Sequence, residues 1–581
     1  MDILKRFPWI AWVLAGVCLA GALAAFCLPI SNPDLYWHLS AARWMAEHKA
    51  FPRADWLSQT MYGRPWTDFE WLSQLVWGAV HGAGGVTALW ALKALLFSLG
   101  GALVWAILGL YGLSPAGRGL GVFAWALGLT SANDLRPENF SLLFFLGLWL
   151  WLEARRLGRL GGVRPWVQAA AAAGGFVLWA NLHAGFVYGL ALLGIYSFVD
   201  AAVRRSRELS LVWLAACAAP LLNPYGAQIY VVPWEHLAWM DELKTFIQEW
   251  RPPSLLNRWH WPLWGVLFAS FLAVLLRIWR RRDVPYEHLA AVAAFGLSAG
   301  SHVRTGCYFV CVGVPVCAAI LERERAEGGA RPVKAFCAAA FAALWAFFGF
   351  CIVDSLSYRQ AFDSRYTPAR LAGFIAGERG LQGRRMYHPW HWGGYLGYRL
   401  SPGLRVFADG RYIFQSRLKE AFEVSREPGR FSAFLDREGI ELVVLEADAG
   451  RVRETVELEG GGQEVLERPL YLYFLPRESW ALVCWDSQGG VFARRSALDM
   501  GWIASREYRH FRPDDLRPTF LKVSQGSVPY AEVEAEVGRW IAWNGEGEQA
   551  RATREWLGAL RAEAPPTGSA RAGRPPASRA R

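Results

Sequence analysis

The sequence predicts an α-helical polytopic membrane protein of about eleven transmembrane helices with a C-terminal extracytoplasmic α/β domain. Three observations predict it. The 581 residues are 54% hydrophobic with a mean hydropathy of +0.16, and the apolar residues come in blocks. Between the blocks, Arg-rich connections alternate with polar, Trp-containing ones. From about residue 355 the composition becomes that of a soluble domain.

The net charge of +11 lies between apolar runs and in the tail, so topology explains it and no nucleic-acid partner is expected. Thirty-two Trp are expected at membrane–water interfaces, where an apolar ring and a polar N–H are both satisfied. Of the nine Cys, all but Cys484 sit in or beside apolar runs, and no CxxC occurs. Cys307 and Cys311 therefore read as small packing residues.

The first run, ending before Pro29, follows Lys5 and Arg6 and is long for a signal peptide, so a retained first helix is expected. Residues 30–85 read as a first outer loop. Within it Leu35, Leu39, Ala42 and Met45 share a face of an amphipathic helix over 35–47. Residues 71–84 are short and Gly-rich for a span. Further spans are expected at about 86–112, then to about 130 and 153, to Asn181, and to just before Arg204. The rest fall at about 209–222 and 261–277, to Ser301, to Glu322, and at about 335–353. Residues 1–354 thus form a transmembrane domain.

With the N-terminus inside, the connections holding Lys5, Arg118, Arg155–Arg164, Arg204–Arg207, Arg280–Arg282 and Arg323–Lys334 all fall inside. The same parity places Asp34, His38, Asp55, Glu70, Asp134, Arg136, His183, Glu249, His302 and Arg304 outside, with the C-terminal domain. Charged groups at a membrane edge are costly unless they face a cavity or one another, and a single outer site explains them together.

Residues 355–525 read as the α/β domain. Strands are expected at 385–388, 405–409, 439–445, 470–474, 480–485 and 491–493, and a helix near 427–437. Residues 526–563 read as a helical hairpin, and the basic Pro/Ala/Gly/Ser tail 564–581 as disordered.

The outer residues fit glycosyl transfer from a lipid phosphate. That chemistry needs a carboxylate to deprotonate the acceptor, cations to stabilise the leaving phosphate and an apolar groove for the lipid. Asp34 is the candidate base, though it could also N-cap the helix 35–47. Arg136 and Arg304 are candidate phosphate clamps, although Arg136 could simply pair with Asp134. His38, one turn after Asp34, joins the donor side. Asp55, Glu70, Asp134, His183, His302 and Glu249 are assigned to the acceptor or to support. His388 and His391 read as part of a Trp-rich fold surface. No metal-ligand set is indicated, and a divalent cation is left open.

Asn32-Pro33-Asp34-Leu35-Tyr36-Trp37-His38-Leu39, Pro52-Arg53-Ala54-Asp55-Trp56-Leu57-Ser58-Gln59-Thr60, Gly63-Arg64-Pro65-Trp66 and Glu70-Trp71-Leu72 resemble the first outer loop of a group of bacterial membrane proteins placed with GT-C-type glycosyltransferases. Arg136-Pro137, Asn181-Leu182-His183, Asn223-Pro224-Tyr225-Gly226, Glu249-Trp250, Trp392-Gly393-Gly394-Tyr395 and Phe407-Ala408-Asp409-Gly410-Arg411 extend the likeness to about residue 450. The resemblance implies an inverting GT-C architecture in the bacterial plasma membrane, a polyprenyl-phosphate-linked sugar donor and Asp34 as the first-loop acid. The acceptor would be an envelope glycan, lipid or protein. Many members carry two adjacent acids where this chain has Asp34-Leu35, which leaves open whether Asp34 works alone, works with Glu70 or Asp55, or has lost catalysis. The alternative is a non-catalytic envelope glycan assembly or lipid-binding protein on the same scaffold. A transporter is disfavoured, because the polar residues gather at one face and not at the midplane.

Overall fold

The structure, a computed structural model, describes residues 8–160, 163–355, 367–448, 450–457 and 463–564. Lys5, Arg6 and the tail from residue 565 lie outside the described residues. The chain divides into two compact units: Met1–Trp56 with Gly63–Tyr366 and Arg411–Gln415, and Leu57–Tyr62 with Thr367–Gly410 and Ser416–Arg581. The first outer loop thus lends six residues to the second unit, and the Asp409-Gly410-Arg411 stretch passes the chain back to the first.

The first unit is helical: α1 (Trp9–Phe26), α2 (Leu35–His48), α3 (Trp71–Leu110), α4 (Pro115–Gly128), α5 (Glu138–Arg156), α6 (Pro165–Leu182), α7 (Phe186–Val203), α8 (Glu208–Ala218), α9 (Gln228–Ala238), α10 (Met240–Phe246), α11 (Trp261–Trp279), α12 (Tyr286–Ser301), α13 (Gly306–Ala326) and α14 (Ala330–Ser355). Every segment expected to span is helical. Among the described residues, six helices are long and apolar enough to cross a membrane, within Trp9–Phe26, Trp71–Leu110, Phe186–Val203, Arg258–Trp279, Val303–Ala326 and Arg331–Cys351.

Residues 71–84 differ from expectation: they are the first turns of α3. The helix breaks at Gly84–Gly85, where Gly85 has φ +62°, a backbone conformation that only glycine adopts without strain. The apolar part of α3 begins after that break, where the sequence places its second span.

The helices pack pairwise, α1 on α4, α3 on α5, α6 on α8, and α11 and α12 on α13. Tryptophan is divided between two environments, which corrects the interface expectation. Trp9, Trp12, Trp166, Trp234, Trp261 and Trp279 are exposed, whereas Trp77, Trp125, Trp149 and Trp179 are among the largest fully buried side chains. Two of the buried indoles find polar partners inside: Trp125 Nε1 donates to Cys311 Sγ at 3.3 Å and Trp179 Nε1 to Ser141 Oγ at 2.7 Å.

The second unit holds α15 (Ala369–Gly377), β1 (Met386–Tyr387), α16 (Gly393–Leu400), α17 (Gln415–Val424, whose first residue belongs to the first unit), α18 (Pro428–Arg437), β2 (Leu442–Glu446), β3 (Arg451–Glu457), β4 (Gln463–Pro469), α19 (Tyr471–Phe474), β5 (Trp480–Trp485), β6 (Gly489–Arg494), α20 (Met500–Arg506), α21 (Leu516–Ser524), α22 (Tyr530–Asn544) and α23 (Glu548–Glu563). One sheet has the order β1-β2-β6-β5, with β1 and β2 parallel and the other pairs antiparallel. β3 and β4 form a separate antiparallel hairpin.

Two strand expectations are corrected. Residues 471–474 are helical, because Tyr471 and Phe474 turn to the same buried side. Residues 405–409 form no strand, and Val406 makes a single bridge to Ser58. At the open edge of β1 the Gln59 side chain acts as a neighbouring strand: Nε2 donates to Met386 O at 3.0 Å and Oε1 accepts from Met386 N at 3.2 Å.

Candidate functional site

The helices of the first unit have two chemically distinct ends. α5 starts at Arg136-Pro137-Glu138 and finishes at Arg155–Arg156, whereas α6 starts after Arg164 and finishes at His183. α12 starts at Glu287–His288 and finishes at His302; α13 starts beside Arg304 and finishes at Arg323–Arg325. The basic ends are tied together. Glu153 accepts from Arg156 Nε at 2.8 Å, Tyr111 Oη at 2.8 Å and Tyr196 Oη at 2.5 Å, and His288 Nε2 stands 3.2 Å away. The opposite ends carry the site.

Glu70 precedes α3. Trp71 Nε1 donates to Asn181 Oδ1 at 2.8 Å, and Ser73 Oγ to Leu182 O at 2.7 Å, so the start of α3 is fastened to the end of α6. That places Glu70 between two imidazoles: His183 Nε2 is 3.7 Å from Oε1, and His38 Nδ1 is 4.0 Å from Oε2. Gly185 N donates to His183 Nδ1 at 3.0 Å, so Nδ1 is the acceptor and the ring proton resides on Nε2, facing Glu70. The approach requires glycine, since a Cβ on residue 185 would stand 2.2 Å from Tyr308 Oη, 2.5 Å from Ser141 Oγ and 2.8 Å from His183 Nδ1.

Burial dominates the titration of this group. It pushes the Glu70 carboxyl well above its ordinary range, with Asp68 adding to the effect. Burial lowers both rings, His38 well below its ordinary value and His183 to about 3, with neighbouring positive and imidazole charges reinforcing it. Burial thus works in one direction on all three groups, favouring the uncharged carboxyl and the uncharged rings.

Asp34 and the arginines form the second half of the site. Asp34 precedes α2 but makes no side-chain capping bond. Ser31 N and Oγ donate to Asp134 at 3.0 and 2.6 Å, and Asn32 Nδ2 donates to Leu135 O at 3.1 Å. These bonds pin the first loop beside the Arg136 turn. Arg136 does not pair with Asp134. Its Nη1 donates to Glu249 Oε2 at 2.7 Å while Nη2 donates to Oε1, and Arg304 Nη1 reaches Oε2 at 3.5 Å. Burial raises the Asp34 carboxyl above its ordinary value, with Arg136 opposing the rise. Burial would also raise Glu249, but the two arginines outweigh it and hold the carboxyl down at about 2.

The structure therefore brings together Asp34, His38, Glu70, Arg136, His183, Glu249 and Arg304 at one set of helix ends. Asp55, Asp134 and His302 have other partners. Asp55 forms a buried ion pair with Arg411 at 2.7 Å, and Arg411 lies 4.7 Å from the Trp66 ring centre. Asp134 braces Ser31, and His302 packs edge-on against Trp250, with centroids 6.1 Å apart. His388 and His391 also diverge: His388 Nε2 accepts from Phe407 N at 2.9 Å, whereas His391 Nε2 bonds Glu446 at 2.8 Å.

Sequence reasoning missed Glu138, Asp68 and Ser141. Glu138 lies buried at the first position of α5, 3.7 Å from Cys307 Sγ. Asp68 accepts from Gln74 Nε2 at 2.7 Å, and burial pushes it up to about 7. Its spacing from Glu70, two residues along a loop, was the available signal. Ser141 stands 2.8 Å from His183 Nδ1, and a lone Ser in an apolar run gives no signal. Among the described residues, no three His, Cys, Asp or Glu side chains are arranged to hold a metal.

No protein-family model matches the chain, and no curated protein matches its sequence. Solved structures do match. The oligosaccharyltransferase of Archaeoglobus fulgidus tethered to an acceptor peptide containing an NVT sequon aligns at TM-score 0.53 and 12% identity, over 81% of this chain and 76% of that one. The chain is GT-C in fold. The GT-C match recurs with AglB from the same organism in complex with an inhibitory peptide and a dolichol-phosphate, at TM-score 0.51 and 13% identity over 80% of this chain and 75% of that one. ArnT from Cupriavidus metallidurans bound to undecaprenyl phosphate aligns at TM-score 0.43 and 15% identity, over 85% and 99% of the two chains. This fold goes together with the helices that are long and apolar enough to cross a membrane.

Proposed function

We propose that the protein transfers a sugar from a polyprenyl-phosphate-linked donor to an envelope glycan, lipid or protein acceptor at the outer face of the bacterial plasma membrane. One observation carries the reading: a carboxylate free of any capping bond, Asp34, shares one end of a GT-C fold with two convergent guanidiniums, Arg136 and Arg304. In the proposed step Asp34 takes the proton of the acceptor hydroxyl, and that oxygen bonds to the anomeric carbon. The bond from anomeric carbon to phosphate oxygen breaks, and its electron pair stays on the phosphate beside Arg136 and Arg304. Loss of either arginine is expected to raise the barrier by about 2–4 kcal/mol.

His38 is assigned to the donor side of this site, and Glu70 and His183 to its support, with Glu70 4.0 Å from His38 and 3.7 Å from His183. The Trp-rich first loop is assigned to the acceptor side. Whether a divalent cation shares the phosphate charge is read from the same assay with and without EDTA.

The test compares envelope glycans by mass spectrometry in wild-type, deletion and Asp34→Asn strains with matched protein levels. Loss of the same glycosyl unit in the last two supports the transferase, and the missing mass names the sugar. A deletion phenotype that Asp34→Asn does not share favours the non-catalytic assembly protein on this scaffold.

A further inference from the structure

We propose that Glu249 competes with phosphate for the Arg136–Arg304 pair, and so determines how tightly the site holds a polyprenyl phosphate. The inference rests on the phosphate reading above and adds to it a residue that restrains binding.

The geometry is that of an anion site closed on an internal anion. Arg136 meets Glu249 with both ends of its fork, the two parallel bonds by which guanidinium also grips a phosphate. The same Oε2 that accepts from Arg136 Nη1 is the one Arg304 reaches, so a single carboxylate bridges both cations. Among the described residues no other carboxylate stands within ion-pair distance of either arginine. Asp134, Asp34, Glu138 and Glu70 act on the pair only at longer range.

Glu249 is held where it is by its own segment. Val303 N donates to Arg251 O at 3.0 Å, and the Arg304 guanidinium lies 5.3 Å from the Trp250 ring centre. Its side chain nevertheless keeps 30% of its exposure, so an incoming anion can reach the pair from the same side. A ligand phosphate must therefore displace a charge-assisted, bidentate bond before making its own. The consequence is graded by ligand charge. A phosphodiester donor carries one negative charge, whereas the phosphate released by transfer gains a second. An arginine pair left bare would hold that dianion strongly and slow its departure. A resident carboxylate offsets part of that attraction and lets the product leave.

The test uses the full-length protein in lipid nanodiscs, with undecaprenyl phosphate as the probe. Dissociation constants are measured for wild type, Glu249→Gln, Glu249→Asp, Arg136→Ala and Arg304→Ala, with thermal unfolding as the control for folding. Glu249→Gln is expected to tighten binding about tenfold and Glu249→Asp by less, while each arginine variant weakens it. Binding by Glu249→Gln equal to or weaker than wild type, with Arg136→Ala weakened, overturns the proposal alone and makes Glu249 a support for Arg136. Unchanged binding in both arginine variants overturns the phosphate reading and this proposal together. Should Glu249→Gln fail to fold, a wild-type constant for Glu249→Asp overturns the proposal.

Discussion

His183 turns its protonated Nε2 toward Glu70, 3.7 Å from Oε1, because the Gly185 backbone N–H occupies Nδ1 at 3.0 Å. The orientation is fixed from behind, by the turn between α6 and α7. Gly185→Ala would drive a methyl into Tyr308 Oη, Ser141 Oγ and the ring itself. We expect it to destabilise the protein by about 1–3 kcal/mol and to lose glycan product beyond what the lower protein level explains. A Gly185→Ala strain with normal glycans at matched protein levels would show that the ring orientation is dispensable.

The same histidine predicts a pH dependence of stability. Burial, then the Arg304 charge, lowers its folded value to about 3 from an ordinary 6.5. The folded state favours the neutral ring, so this contribution is fully present above pH 6.5 and is lost as pH falls toward 3. The unfolding temperature in detergent should fall across that window, and less steeply in His183→Gln. Equal slopes for the two proteins would mean that other groups take up the protons.

Asp55 and Arg411 are both fully buried, 356 positions apart in sequence, and joined at 2.7 Å under the Trp66 ring. Removing one partner strands the other charge. Asp55→Ala and Arg411→Ala should each cost about 3–5 kcal/mol, and the double variant clearly less than their sum. Additive losses in a double-mutant cycle would show that the pair does not interact.

Glu153 accepts from Tyr111, Tyr196 and Arg156 with no exposure to solvent. Its donors come from α5, from α7 and from the residue that follows α3, so it fastens the ends opposite the site. Glu153→Gln puts an N–H₂ among donors and should lower stability by about 1–3 kcal/mol; Glu153→Ala should lower it further. The order of the two thermal midpoints checks this, and a more stable alanine variant would contradict it.

What the sequence by itself determined was local. Apolar runs set α1 and the later spans, and the 3.6-residue spacing set α2. The short apolar run at 439–445 set β2. These features follow from neighbouring residues alone, because helix and strand periodicity is written in the order of side chains. The parity of Arg-rich loops assigned Asp34, Glu70, His183 and Arg304 to one side, and in the fold these four lie at the same set of helix ends.

Only the tertiary structure decided the partners. The β3–β4 hairpin escaped notice because Arg451–Glu457 and Gln463–Pro469 are charged and half-exposed, with no apolar alternation strong enough to mark them. Residues 471–474 read as a strand from composition and became a helical turn once Tyr471 and Phe474 packed on one side. Arg136 had an acid two residues away in Asp134, yet it bonds Glu249, 113 residues on, while Asp134 braces Ser31. Which ion pairs form depends on which backbone segments meet, and each such meeting is a sum of many weak packing terms spread along the chain. Spacing in the sequence carries no record of that sum, so candidate residues could be named from the sequence and their partners could not.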